Sequence, residues 1–270
     1  METGANPGVL IWYLGHSGFA VYTGRRLLLF DYVAQAGGPP GAADAGKSDA
    51  FAAAGLDTGV IAAPEKLAGL ETDIFISHRH GDHLDRSVFG WAAALPQARY
   101  LLSADIRARE TPAGRTLRLK PGETFRGDGL HVETLDSTDT GAAFVVEADG
   151  LRVYHAGDLN WWHWDGDSES EGRAMERKYK EQIGLLRERE LDLAFVPVDP
   201  RLGPAYAWGL DYLMRTARVK AVFPMHFWED TSVFGRLERE PCTEPYRARI
   251  VRFARRGQRF AWENGRVRAL

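Results

Sequence analysis

Short apolar runs cut by glycine open the chain. Val9 to Tyr13, Phe19 to Tyr22 and Arg26 to Phe30 are separated by Gly15, Gly18 and Gly24, which predicts strands of an antiparallel meander. Ala34 to Gly59 is rich in Gly, Ala, Pro and Asp and holds no period. It reads as a long loop, either a lid or simply disordered. Pro64-Glu65-Lys66-Leu67 starts a helix with Pro in the first turn. The apolar run Ile74-Phe75-Ile76 is a strand, and Asp85 to Leu95 a helix stopped by Pro96. Strands follow at Arg99 to Ser103, Thr116 to Leu119, Leu130 to Thr134, Ala143 to Glu147 and Leu151 to His155. Asp149-Gly150 between the last two is a hairpin turn. Ser168 to Glu190 is the longest helix, with Met175, Tyr179, Ile183 and Leu186 in one stripe. Leu191 to Val198, Tyr206 to Ala217, Val219 to Phe223 and Phe260 to Trp262 complete the pattern as strand, helix, strand and strand.

Strands first, then strands alternating with helices, predict two packed sheets with helices outside. With 270 residues, 44% of them hydrophobic, the chain can bury a large core. We expect one domain over 1–270; two α/β domains split near Thr124 are the alternative. A net charge of −3 argues against a broad nucleic-acid surface. The single Cys242 cannot make an intrachain disulfide and suits a reducing compartment. Met1 to Gly8 lacks the basic and apolar regions of a signal peptide, and no apolar run has the roughly 20 residues of a membrane span. The expected location is cytoplasmic.

Candidate chemistry concentrates in His78-Arg79-His80-Gly81-Asp82-His83, directly after the strand that ends at Ile76. Imidazole and carboxylate ligate zinc and similar ions. In an extended segment His78, His80 and Asp82 point to one side, with His83 opening the next element. Such a cluster can serve two metals.

This H-x-H-x-D-H pattern resembles the signature of the metallo-β-lactamase superfamily. The likeness of order and context runs from Ile11 to His226. Asp158, in Val153-Tyr154-His155-Ala156-Gly157-Asp158, matches the later ligand Asp. His226, after Val222-Phe223-Pro224-Met225, matches the last His, and Asp31 matches a buried Asp at an early strand end. The resemblance implies an α/β fold, a four-layer αββα sandwich, with metals at one edge. It implies His78 and His80 on one ion, Asp82, His83 and His226 on a second, and Asp158 bridging. It also implies that Asp31 accepts a hydrogen bond from a ligand His, with a turn or helix-capping Asp as the plain alternative. The ions would be one or two, most readily Zn2+, with Mn2+ an option.

The chain departs from the pattern once. The superfamily places a further His between the hexapeptide and the Asp, and Leu135-Asp136-Ser137-Thr138-Asp139-Thr140-Gly141 has none. Asp139 is a candidate carboxylate replacement. Asp136 and His163 are others, and an empty position is the alternative. His131 lies within a strand and has a sheet-face role. Losing one imidazole favours a harder ion such as manganese there.

Gly15-His16-Ser17-Gly18-Phe19 resembles a segment of the lactonase-like and phospholipase-like branches, in which the His or Ser faces the pocket; an ordinary hairpin turn is the plain alternative. His155 has a structural hydrogen bond. Asn160-Trp161-Trp162-His163-Trp164 offers an apolar substrate wall, packing against the long helix, or a contact in a homo-oligomer. With the residues around it, this stretch resembles a sub-branch of uncharacterised bacterial hydrolases. Arg201 either holds an anionic substrate group or makes a surface salt bridge. Arg247, Arg249, Arg252, Arg255 and Arg256 form a solvated basic face.

The implied function is a metal-dependent hydrolase acting on an ester, lactone or phosphodiester of a small molecule, with Asp82 accepting a proton or orienting the nucleophile. No nucleic-acid partner is expected. β-Lactam hydrolysis fits less well, since position 158 is not Cys. The alternative is a non-catalytic or mononuclear metal-binding or ligand-sensing module. A redox module would need a flavin or di-iron partner.

Overall fold

The glycines that punctuate the first apolar runs do turn the chain. Val9–Gly15 (β1), Gly18–Tyr22 (β2) and Arg26–Phe30 (β3) form the antiparallel meander. The computed structural model describes residues 8–42 and 49–270, so part of the expected 34–59 loop lies outside the described residues. Within that stretch Ala50–Ala54 (α1) is a short helix capped by the Asp49 side chain. Glu71–Ile76 (β4), Arg99–Ser103 (β5) and Thr116–Leu119 (β6) then add parallel to β3. Thr124–Gly127 (β7), Leu130–Asp136 (β8), Ala142–Ala148 (β9) and Leu151–His155 (β10) run antiparallel. Glu169–Gly184 (α2) leads into Glu190–Pro197 (β11), and Trp208–Thr216 (α3) into Arg218–Met225 (β12). Ser232–Arg239 (α4), Arg259–Glu263 (β13) and Arg266–Ala269 (β14) follow.

These elements fall into two compact units, the first formed by Met1–Leu119 with Ala254–Leu270 and the second by Lys120–Phe253. The first holds an eight-stranded sheet in the order β14-β13-β1-β2-β3-β4-β5-β6. Alternate residues Leu10, Trp12 and Leu14 of β1, with Leu27 and Leu29 of β3, build one core face. Phe51 of α1 packs on it, 5.0 Å from the Trp12 ring and 4.9 Å from Tyr22. Buried Arg26 would be unstable alone in such a place; Asp73 accepts from it at 2.9 Å and Glu71 at 2.7 Å.

The second unit holds a six-stranded sheet, β12-β11-β10-β9-β8-β7. Asp149 and Gly150 take φ of 51° and 82°, the left-handed pair that a tight β9–β10 hairpin needs. α2 begins with a capping box in which Ser168 and Glu171 satisfy each other's backbone N–H. It buries Tyr179 and Ile183, and Leu186 beyond its end, so the expected stripe holds while Met175 is only half-buried. The helix stops at Gly184, short of the expected Glu190. A turn follows, with Glu188 at φ 59°, and releases the chain into β11. Asp85 to Leu95 also differs from expectation. Arg86–Ala93 forms 3-10 turns, with Gly90 at its centre lowering helical propensity. β7, α4 and β14 carry too little pattern to have been anticipated. Among the described residues, no helix is long and apolar enough to cross a membrane.

Parallel strands place their carboxyl ends at a common edge, where ligands of α/β sheets bind. Here β3 and β4 end together in the first unit, and β10, β11 and β12 in the second.

Candidate metal centre

In the first unit, the parallel register Phe30↔Phe75 sets Asp31 beside the residue following β4. Asp31 accepts from Ser77 N at 2.7 Å, from Ser77 Oγ at 2.6 Å and from His83 Nδ1 at 2.8 Å. With its proton on Asp31, Ser77 Oγ is an acceptor for His78 Nδ1, 3.0 Å away. One buried carboxylate therefore orients two imidazoles by their Nδ1 atoms and turns Nε2 toward any ligand, the usual arrangement behind a metal-binding His. This is the role expected of Asp31.

The hexapeptide is not extended as expected. His83 N donates to His80 O at 3.0 Å, and this turn brings His83 back against His78, with ring centroids 4.1 Å apart. His78 and His80 rings lie 4.7 Å apart. His78 and His83 are buried, Asp82 is half-buried and His80 is exposed. Burial raises the Asp82 carboxyl pKa, but a long hydrogen bond from His16 and the charge of His83 outweigh it and hold the group well below the usual carboxylate range. Separations of 3.4 Å from His16 Nε2 and 3.9 Å from His83 Nε2 to Asp82 Oδ2 are near the spacing of about 3.4 Å between two ligands of a tetrahedral ion with 2.0–2.2 Å bonds.

The second unit repeats the device. Pro197↔Met225 pairing brings Asp199 beside His226, and Asp199 Oδ2 accepts from His226 Nδ1 at 3.1 Å. His226 Nε2 then lies 3.5 Å from Asp158 Oδ1, again close to a ligand–ligand edge. His226 has φ 61°, an uncommon conformation that β12 reaches in leaving the sheet. Asp139 is exposed, and a carboxylate oxygen of it lies within 4.8 Å of one from Asp158. Asp136 is occupied elsewhere, by Lys178 Nζ at 3.3 Å. The His163 ring stacks on Trp208 at 5.0 Å. Of the three candidates for the missing imidazole, Asp139 therefore stands with Asp158, and the other two face other partners. His155 Nδ1 accepts from Gly157 N at 3.2 Å, a structural bond as expected. His131 lies on the sheet between Glu133 and Glu147, at 4.0 and 3.8 Å.

The Trp run divides. Trp161 packs against Trp208, Tyr179 and Tyr212, joining α2 to α3. Trp162 turns to His226, 5.4 Å away, and stacks on Trp164 at 5.9 Å. Trp228 meets His226 from another side at 5.6 Å. The Arg201 guanidinium lies over Trp164 and Trp228, at 5.4 and 4.6 Å, while bonded to Asp199. Trp164 and Trp228 remain exposed. Trp228, directly after Phe227 in the segment following His226, carries no motif that singles it out in the sequence. A cavity of about 630 Å³ in the same unit, lined by Arg126, His131, Glu147, Arg152 and Lys220, lies at the starts of β10 and β12, away from the ends that carry Asp158 and His226.

Both donor sets suit a divalent ion: imidazoles backed by carboxylates, beside further carboxylates at ligand spacing. Such sites belong to metal-dependent hydrolases, and comparison with known proteins agrees. No family model matches the chain. A UPF0173 metal-dependent hydrolase of Pyrobaculum calidifontis is 30% identical over 200 residues, spanning 70% of this chain and 77% of that protein. One from Pyrobaculum arsenaticum is 28% identical over 256 residues, 90% of this chain and 92% of that one. Among solved structures, Igni18, a metallo hydrolase from the archaeon Ignicoccus hospitalis, is similar with a TM-score of 0.59 at 16% identity, covering 94% of this chain and 99% of that one. The chain is a hydrolase that depends on a metal, with a fold similar to that of Igni18. It belongs to the UPF0173 metal-dependent hydrolases.

Proposed function

We propose that this hydrolase cleaves an ester, lactone or phosphodiester bond of a small molecule. In this reading His78, His80, Asp82 and His83 of the first unit, and Asp139, Asp158 and His226 of the second, are metal ligands. The observation that carries the reading is the pair of carboxylate-backed imidazoles, His83 on Asp31 and His226 on Asp199. A divalent ion held by these side chains supplies Lewis acidity and lowers the pKa of water toward neutrality. Asp82, kept ionised by its depressed pKa, orients the attacking water. Zn2+ suits the imidazoles, and the carboxylates Asp139 and Asp158 also accept the harder Mn2+. Exposed Trp164 and Trp228 offer an apolar wall beside His226, and Arg201 beside them suits an anionic group on the substrate.

Elemental analysis of wild type and Asp139→Ala, purified without chelator, tests the ligand set. Two ions in the wild type and one in the variant are expected; equal content in both removes Asp139 from the set. Turnover of none of a panel of small esters, lactones and phosphodiesters by the metal-loaded protein would reject the substrate class.

A further inference from the structure

His16 stands outside the hexapeptide, yet it shares the surroundings of Asp82 and His83. It occupies the two-residue turn between β1 and β2 and is buried. One donor atom from each of His16, Asp82 and His83 lies within 4.8 Å of the others. The His16 and His83 rings meet at 82° with centroids 5.5 Å apart, converging edge to face without stacking. The 3.4 Å separation of His16 Nε2 from Asp82 Oδ2 makes a long hydrogen bond. It is close to the roughly 3.4 Å edge of a tetrahedral metal site.

The surrounding backbone fixes the turn that carries this imidazole. His16 takes φ 48° and Gly15 φ 110°. A Cβ on Gly15 would stand 2.3 Å from Ala36 O, and one on Gly37 would stand 2.6 Å from His16 N. The loop through Ala36 and Gly37 is therefore pressed against the turn. Arg256 holds both. Its guanidinium donates to Leu14 O at 2.6 Å, Ala34 O at 2.9 Å and Val33 O at 3.1 Å. A ring carried on a pinned turn and facing a carboxylate is held as ligands are held.

We propose that His16 is a metal ligand, forming with Asp82 and His83 a set of two imidazoles and one carboxylate. The ion is a divalent one of the iron-to-zinc range. This inference rests on the reading of Asp82 and His83 as ligands. It also moves the lost imidazole: nitrogen is gained beside Asp82, while Asp139 and Asp158 present oxygen.

The test titrates metal-free wild type, His16→Asn and Asp82→Ala with Co2+. It follows stoichiometry, the visible spectrum and the imidazole count from X-ray absorption. Asn tolerates the left-handed turn and carries no imidazole. His16→Gly, which relaxes the turn fully, carries the same expectation if the Asn variant does not fold. The expected result is Co2+ binding weakened at least ~10-fold in both His16→Asn and Asp82→Ala, with one imidazole fewer in His16→Asn. Loss in Asp82→Ala with the full imidazole count kept in His16→Asn overturns the role of His16 alone. Wild-type binding in all variants overturns the assignment of Asp82 as well.

Discussion

Asp31 holds His83 by Nδ1 at 2.8 Å while the same carboxylate takes both the amide and the hydroxyl of Ser77. It has φ 41°, so the residue that orients the ring is itself in a conformation that Asp and Asn tolerate better than others. Asp31→Asn keeps that backbone but loses acceptor capacity. Zn2+ affinity is expected to fall roughly 10–100-fold. Calorimetric titration of the metal-free protein checks it, and an unchanged affinity would separate Asp31 from metal binding.

Arg26 is an independent case, since its pairs with Asp73 and Glu71 lie at the start of β3 and β4, far from the strand ends that bear the ligands. Arg26→Met leaves a buried Asp73 with Arg99 as its remaining cation. A loss of ~3 kcal/mol or more in urea unfolding is expected. A loss under ~1 kcal/mol would mean that Arg99 suffices.

Acid should act on the second unit through Glu133. Two hydrogen bonds from Arg189 hold its carboxyl below the usual range, outweighing burial. A depressed folded-state pKa means that the pair's contribution is complete above the unfolded value of about 4.3. It is then lost as pH falls through the folded value. The melting temperature of Glu133→Gln should therefore lie below wild type at neutral pH and converge on it below about pH 4. A constant gap across that range contradicts the pairing.

The aromatic wall predicts a change in binding rather than chemistry. Trp164→Ala and Trp228→Ala are expected to raise KM several-fold with kcat retained, for whichever small ester, lactone or phosphodiester is turned over. A fall in kcat at constant KM would place these indoles in the chemistry instead.

Much of this was legible because the signals were local. H-x-H-x-D-H after an apolar strand is read from neighbouring residues alone, whereas Asp31, Asp158 and His226 were placed by the resemblance of their strand-end contexts to the metallo-β-lactamase superfamily. What failed was the conformation between them: alternation predicted an extended hexapeptide, and the His80–His83 turn overrode it. The basic run departed from its expected solvated face at one residue, for another reason. Arg256 is buried because its acceptors lie at Leu14, Val33 and Ala34, more than 200 positions away, which no window of sequence contains. The Trp run read as one feature because adjacency hid that Trp161 and Trp162 point to different partners.

That distance also sets an order of synthesis. Lys120–Phe253 is continuous, whereas the first unit needs Ala254–Leu270 for β13, β14 and the Arg256 clamp. During translation the later-encoded unit can complete its sheet first. The β1–β2 turn is complete only once Arg256, encoded more than 200 positions later, can donate to Leu14, Val33 and Ala34.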